Sequence, residues 1–262
     1  GWSEWCITED AELGLRILDE GYATTYIARS YGRGLMPDTF LDFKKQRSRW
    51  AFGAMQILRR HFAALIHGRD TGLTAGQRYH FVAGWLPWLA DGFNLLVNLA
   101  ALVWSLVMVL FPRHIEPPLM LFSVLPLSLF LFKLVKLLHL YRARVGATFT
   151  QTIAAAIAGL GLSHTVGSAM LSGFVNKDRP FFRTPKRTAR HAWLQSLAAA
   201  REEAVLMCGL WVAAFAVSSI PQMDGDQPGL VGSPDLTVWV TVLLVQSIPY
   251  AAAVMVSLVS SL

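Results

Sequence analysis

The stretch FNLLVNLAALVWSLVMVLF, residues 93–111, decides the fold because none of its side chains carries a charge. A helix needs about twenty mostly apolar residues to cross the hydrocarbon core of a bilayer. The preceding run Trp85-Leu86-Pro87-Trp88 supplies aromatic rings of the kind that collect at the lipid headgroups. The stretch is therefore predicted to be a transmembrane helix.

The rest of the chain extends this pattern. Of its 262 residues 54% are hydrophobic and 15% charged, whereas a soluble domain carries about 25% charged residues. Three further spans are predicted, at 117–140, 203–220 and 237–260. Residues 148–175 are rich in small side chains, and we expect them to lie on or dip into the membrane interface, with a fifth span as the alternative.

The distribution of lysine and arginine predicts the topology. Residues 222–235 contain neither, whereas residues 141–201 contain many. Positively charged loops stay in the cytoplasm, so four spans place residues 1–84 and 141–202 on the cytoplasmic side. Because the basic residues lie beside apolar runs, the net charge of +6 indicates membrane orientation and not a nucleic-acid partner.

Residues 1–80 have the pattern of a soluble domain. Thr8-Glu9-Asp10-Ala11 is typical of a helix start, with Thr8 as the cap. Gly21 is the expected end of that helix. Residues 22–28 favour a short strand, which would make this region the closing part of a cytoplasmic α/β domain. Residues 81–262 form the predicted membrane region.

A second helix is predicted from Pro37-Asp38-Thr39 to about Ile66, with a broad apolar stripe and basic residues largely off it. Such a helix can lie in the membrane interface. Helical spacing places Gln46, Arg49 and Trp50 on one face. An amide, a guanidinium and an indole there can bind sugar hydroxyls, a diphosphate and a sugar ring. The alternative is an arginine-rich helix with a tryptophan anchor.

Two motifs of the sequence, Thr8-Glu9-Asp10 and Gln46-Arg47-Ser48-Arg49-Trp50, resemble those of processive family-two glycosyltransferases such as cellulose, chitin and hyaluronan synthases. The surrounding residues are most similar to bacterial cellulose synthase and β-1,3-glucan synthase-like proteins. The resemblance implies a GT-A-like domain followed by interfacial helices and about four membrane helices.

The resemblance also implies an activity. The enzyme would be an inverting hexosyltransferase that moves glucose from UDP-glucose to a growing β-glucan and passes the polymer across the bacterial inner membrane. Asp10 would be the general base, although an acidic triplet can also merely begin a helix. Gln46 and Trp50 would hold the acceptor sugar, Arg49 the leaving diphosphate, and Glu9 would also contact substrate.

A gating loop is expected at about 176–190. Phe181, Thr184 and Lys186 match the family pattern Phe-x-Val-Thr-x-Lys, although Arg183 stands where that pattern has valine. A plain cytoplasmic linker is the alternative. The family uses Mg²⁺ or Mn²⁺, held by an Asp-x-Asp pair that we expect in an N-terminal half absent from this sequence, so no metal ligand is assigned here.

Three other functions are compatible with the sequence. The first is a synthase of another polymer, such as hyaluronan or chitin. The chain can instead be a transporter or channel subunit, although its spans hold few of the facing ionisable residues that this requires. A catalytically silent structural paralogue is the third. The expected partners are a UDP-sugar, a polysaccharide acceptor, the lipid bilayer and accessory subunits. His164, Glu202 and Glu203 receive no role.

Overall fold

The computed structural model describes residues 1–27, 29, 31–32, 34, 37, 39–118, 120–176, 198–220 and 234–260. Its α-helices are α1 (Glu9–Asp19), α2 (Phe40–Arg60), α3 (Ala75–Leu110), α4 (Met120–Leu140), α5 (Phe149–Gly161), α6 (Ser163–Val175), α7 (Arg201–Ser218) and α8 (Pro234–Val259). Short π-helical turns follow α2 and α4, at Ala63–His67 and Tyr141–Val145. Each turn ends at a glycine with positive φ, Gly68 or Gly146.

The strand expected at residues 22–28 is absent from residues 22–27, the part of it that the structure describes. Residues 22–27 are irregular and exposed, and the described part of the chain contains no strand. Strand propensity alone does not produce a strand, because its backbone groups need a neighbouring strand to pair with. The helix before it does end as expected, with Gly21 in the left-handed region at φ 87°.

The described residues divide into two compact units. The first contains Gly1–Gly92 and the described part of Thr165–His191. The second contains Phe93–His164 and the described part of Ala192–Leu262. The division falls inside α3 and near the start of α6, so neither helix belongs to one unit alone.

Helix α2 is the main buried element of the first unit. Its start is well defined, since the Thr39 hydroxyl accepts a hydrogen bond from the Asp42 backbone N–H. Its second half is enclosed, because every residue from Ala51 to Leu58 is buried. The interfacial position of this helix stays a prediction.

Helix α6 packs on α2 and α3 through glycines. A Cβ added at Gly173 would lie 2.7 Å from Met55 Cβ, and one at Gly167 would lie 2.6 Å from the Asp91 carbonyl oxygen. Arg59 strengthens the contact, since its Nη1 donates to the carbonyl oxygens of Gly173 and Asn176 at 3.0 and 2.9 Å. These carbonyls end α6, where a cation also suits the helix dipole.

A buried carboxylate joins α1 to the end of α2. Glu12 is 1% exposed. It accepts hydrogen bonds from the Ser3 hydroxyl at 2.5 Å and from Arg16 Nε at 2.9 Å, and its Oε1 lies 3.2 Å from His61 Nε2. Burial raises the pKa of Glu12, but the Ser3, Arg16 and His61 contacts outweigh burial and hold the pKa below its usual range.

Three described helices are long and apolar enough to cross a membrane: α3, α4 with the turn after it, and α8. The predicted span at 203–220 corresponds to α7, which is not among them because Arg201, Glu202 and Glu203 occupy its first turn. Helices α5 and α6 together pass the same test but meet at a bend of 40°, as in a broken span or a re-entrant segment. The count of four spans and the predicted sidedness therefore stay predictions.

Helix α8 organises the second unit and packs against α7, α5 and α4. Its apolar core includes Val242 and Leu243. Polar side chains bind it to its neighbours: the Asn98 amide donates to the Tyr250 hydroxyl at 2.7 Å, and Trp239 Nε1 donates to the Ser105 hydroxyl at 3.1 Å. Paired in this way, buried polar groups are tolerated among apolar helices.

Two ionisable side chains of the second unit also have partners. Lys133 Nζ donates to the Ser163 hydroxyl at 2.8 Å. His164 Nδ1 lies 3.1 Å from Oε1 of Glu203, which is fully buried. His164 is therefore a hydrogen-bonded residue of the helix packing.

We expect Glu12→Gln to lower the free energy of unfolding of the protein in detergent by about 1–3 kcal/mol at pH 7. The substitution removes the negative charge that the contacts with Ser3, Arg16 and His61 stabilise. A carboxyl with a depressed folded pKa contributes stability above its unfolded pKa of about 4.3, and that stability is lost as pH falls through the folded value. Circular-dichroism melts from pH 7 to pH 3 measure the effect. The parent should lose stability over this range and converge on Glu12→Gln. The exposed Glu4→Gln serves as control, and an equal loss in it would contradict the assignment.

We expect Gly161→Leu to destabilise the second unit. A Cβ at Gly161 would lie 3.1 Å from Ala253 Cα on α8, so a leucine would overpack the contact by about 1–3 kcal/mol. Gly84→Leu is the matched control, since nothing lies within 4 Å of its added Cβ. Melting in detergent should show a lower midpoint for Gly161→Leu alone. Equal midpoints would mean that α5 and α8 do not pack this closely.

Candidate functional site

The Thr8-Glu9-Asp10 turn lies directly on α2. Thr8 occupies the cap position of α1, but its side chain makes no capping hydrogen bond, unlike the capping role predicted for it. The side chain is buried and turned toward α2, where a Cβ added at Gly53 would lie 2.2 Å from Thr8 Oγ1. Only glycine at position 53 leaves room for this contact.

Asp10 is the exposed carboxylate of this turn. Its Oδ1 accepts a hydrogen bond from the Ala11 backbone N–H at 2.8 Å, while Oδ2 has no hydrogen-bond partner among the described residues. The backbone contact fixes the direction of the carboxylate, and the open oxygen can accept a proton from a solvent-side hydroxyl. Neighbouring Glu9 is half-buried.

The face of α2 that carries Gln46, Arg49 and Trp50 continues to Gly53 and Gln56. Gln46, Arg49, Gly53 and Gln56 follow one another at intervals of three or four residues, and Trp50 lies four residues after Gln46 and three before Gly53, which places all five in one stripe along the helix. The structure thus brings the two sequence motifs to the same side of α2, with the Thr8 turn seated at Gly53. Gln46 and Arg49 are half-buried.

The indole of Trp50 contacts a side chain that the sequence analysis did not identify as its partner. The Arg47 guanidinium lies 4.6 Å from the centroid of the Trp50 ring and 4.9 Å from that of Phe43. Such stacking restrains the indole, which remains 36% exposed. The signal in the sequence was the spacing of Phe43, Arg47 and Trp50 on one side of the helix.

Gln56 connects α2 to the segment before the turn. Its amide oxygen accepts from the Ile7 backbone N–H at 3.1 Å, and its amide nitrogen donates to the Trp5 carbonyl oxygen at 3.0 Å. The side chain is buried. In the sequence, Gln56 stands out as a polar amide among the mostly apolar residues from Ala51 to Leu58.

Cys6 lies between Trp5 and Ile7 in the sequence, and its thiol is buried. Its sulfur lies 3.4 Å from Thr8 Oγ1. Burial raises the pKa of Cys6, and the hydrogen bonds with Thr8 oppose this only in part. Since the thiolate is the reactive form of cysteine, a raised pKa and burial both slow its reactions.

The gating loop and a divalent-cation site are the other predicted elements. Phe181, Thr184 and Lys186 fall outside the described residues. Within the described part of the chain no group of three or more His, Cys, Asp or Glu side chains is placed to hold a metal ion. The described residues therefore do not fit a divalent cation.

Comparison with known proteins gives the chain a family. Residues 1–158 match the family described as glycosyl transferase family group 2. The chain is also 32% identical over 83 residues to the Cellulose synthase 1 catalytic subunit [UDP-forming] of Komagataeibacter xylinus, which is 32% of this chain but 11% of that protein's length. No solved structure matches. Because the family match extends over more than half of the chain and includes both motifs, the chain belongs to the glycosyl transferase family group 2.

Proposed function

We propose that this chain is the membrane-embedded part of a processive, inverting glucosyltransferase. It transfers glucose from UDP-glucose to a growing β-glucan and passes the polymer across the bacterial inner membrane, with both motifs on the cytoplasmic side. The family membership supports glycosyl transfer, and the similarity to a cellulose synthase subunit supports this choice of donor and product.

The observation that carries the proposal is the seating of Thr8 on Gly53. Thr8 is held against α2, and Asp10 follows it by two residues in the chain. Asp10 is therefore tethered close to the helix that also carries Arg49 and Trp50. A glycosyl transfer needs these groups at one place, because effective general-base catalysis depends on a base held within hydrogen-bond reach of the attacking hydroxyl.

The proposed chemistry follows from these side chains. The acceptor hydroxyl oxygen attacks the anomeric carbon of the donor, its proton passes to Asp10, and the bond from the anomeric carbon to the diphosphate oxygen breaks. Arg49 binds the departing diphosphate through charge-assisted hydrogen bonds. Trp50 stacks on the terminal acceptor sugar, Gln46 binds its hydroxyls, and Glu9 also contacts substrate.

The remaining parts of the proposal come from the sequence resemblance. Phe181, Thr184 and Lys186 would form a loop that closes over the nucleotide, and Mg²⁺ or Mn²⁺ would be held by residues other than those described. Accessory subunits are further partners. A synthase of hyaluronan or chitin is the alternative, and the polymer formed by the full-length protein in vesicles with UDP-glucose or other UDP-sugars decides between them.

We expect Asp10→Asn to lower polymer synthesis by ~10² or more, since asparagine keeps the shape but cannot accept the proton. Donor binding should persist, because Asp10 acts on the acceptor. Polymer formation and UDP release by the full-length protein in vesicles are the measurements. Glu20→Gln, an exposed carboxyl beyond the end of the same helix, is the control and should keep the parent rate. Near-parent synthesis by Asp10→Asn would show that the triplet only begins α1.

We expect Trp50→Ala to weaken elongation while hydrolysis of the donor by water persists, because the variant loses the stacking surface for the acceptor. Contacts between aromatic rings contribute about 0.5–1.5 kcal/mol beyond their buried area, and if the ring–sugar contact has a similar size, elongation should fall about tenfold when it is lost. Trp50→Phe retains a ring and should recover part of the rate. The ratio of UDP released to sugar incorporated separates these cases. An unchanged ratio in Trp50→Ala would exclude an acceptor role for Trp50.

A further inference from the structure

We propose that Gln56 is a positioning residue of the glycosyl-transfer site: its amide holds the backbone of Trp5 and Ile7 on α2 and thereby fixes Thr8 and Asp10 relative to Arg49 and Trp50. The inference rests on the proposed function, in which Asp10 is the base. Gln56 itself touches no substrate in this account.

The first support is the geometry of the amide. A glutamine side chain offers one acceptor and two donors, and here the oxygen and the nitrogen each bind a different backbone group of the same segment, at 3.1 and 3.0 Å. Two hydrogen bonds from one planar group restrain both the position and the direction of the chain between residues 5 and 7. Neither backbone group belongs to a helix or strand, so the amide supplies pairing that secondary structure does not.

The second support is the position of this restraint in the chain. Ile7 precedes Thr8, and Thr8 is seated at Gly53, one turn of α2 from Gln56. The turn is thus held at two adjacent points on one helix face. Arg49 is one turn further in the same direction. A shift of the backbone at residues 5–7 would also move Asp10. A displacement of about 1 Å in a reacting group can lower a rate by ~10²-fold.

The third support is the separation of this contact from the general packing of α2. Met55, the neighbouring residue, is fully buried on the side of α2 that meets Gly173 of α6. Met55 and Gln56 are therefore both buried in α2, but only Gln56 binds the segment that leads to the catalytic turn. This difference supplies a matched control within one helix.

Cys6 supplies a readout that does not depend on activity. Its thiol is 5% exposed and lies between the two residues that Gln56 binds. A reagent such as N-ethylmaleimide reaches a buried thiol through local opening of the segment. In Gln56→Met, which keeps the side-chain length and removes both hydrogen bonds, we expect labelling of Cys6 to rise tenfold or more, since each lost hydrogen bond shifts such an opening by severalfold.

The test uses the full-length protein in native membranes, with Cys6 and the exposed Cys208 distinguished by peptide mass spectrometry. Gln56→Met should label faster at Cys6, with kcat for polymer synthesis about tenfold lower and the donor KM unchanged. Met55→Ala should lower the melting temperature but leave Cys6 labelling and the kcat-to-KM pattern as in the parent. If Gln56→Met does not accumulate in membranes, Gln56→Glu, which retains the acceptor for Ile7, gives the same reading with a smaller change.

The outcomes separate this inference from the proposed function. Parent-like Cys6 labelling or a parent-like kcat in Gln56→Met, with Asp10→Asn inactive, overturns the positioning role and leaves the base assignment intact. Equal effects of Met55→Ala and Gln56→Met on labelling also overturn it, since they would indicate general loosening. Faster Cys6 labelling with an active Asp10→Asn variant instead confirms that Gln56 restrains the segment and removes the base assignment that gives the restraint its function.

Discussion

The contact between Thr8 and the backbone of α2 at Gly53 is the constraint on which the site depends. A side chain approaches a helix backbone this closely only where the helix lacks a Cβ. The N-terminal segment therefore has one seat on α2, and the helix face on either side of that seat holds Arg49 and Trp50 in one direction and Gln56 in the other. The arrangement of the candidate site follows from this close contact.

Helix α2 can serve as a reference because it is held from several sides. Glycine contacts and Arg59 fasten α6 to it, and His61 at its end contacts the carboxylate of Glu12 on α1. Buried contacts of this kind have few alternative arrangements, because a packed interior resists small displacements. Groups displayed on such a helix keep their mutual positions, which is the general requirement for a catalytic site.

Local patterns in the sequence predicted local structure well. Thr39 begins α2 and Gly21 ends α1 because caps and left-handed glycines act within a few residues. The prediction of a strand at residues 22–28 was wrong for residues 22–27, because a strand needs a neighbouring strand to pair with and the residues themselves do not specify one. The glycine seats at positions 53 and 173 and the hydrogen bonds of Gln56 join residues far apart in the chain, so periodicity cannot reveal them. The two motifs were recognised from residue identity. The shared helix face of Gln46, Arg49 and Trp50 follows from their spacing, whereas the contact that brings Thr8 to the same helix does not.

The buried pair of His164 and Glu203 has a consequence for biogenesis. A carboxylate in the first turn of α7 makes that helix a weak candidate for independent entry into the bilayer, since a charge near hydrocarbon is unfavourable without a partner. His164 precedes α7 in the chain and is synthesised before it. We therefore expect α7 to be integrated late, after α6 is available to receive Glu203, so that translation order itself guides the assembly of the membrane region.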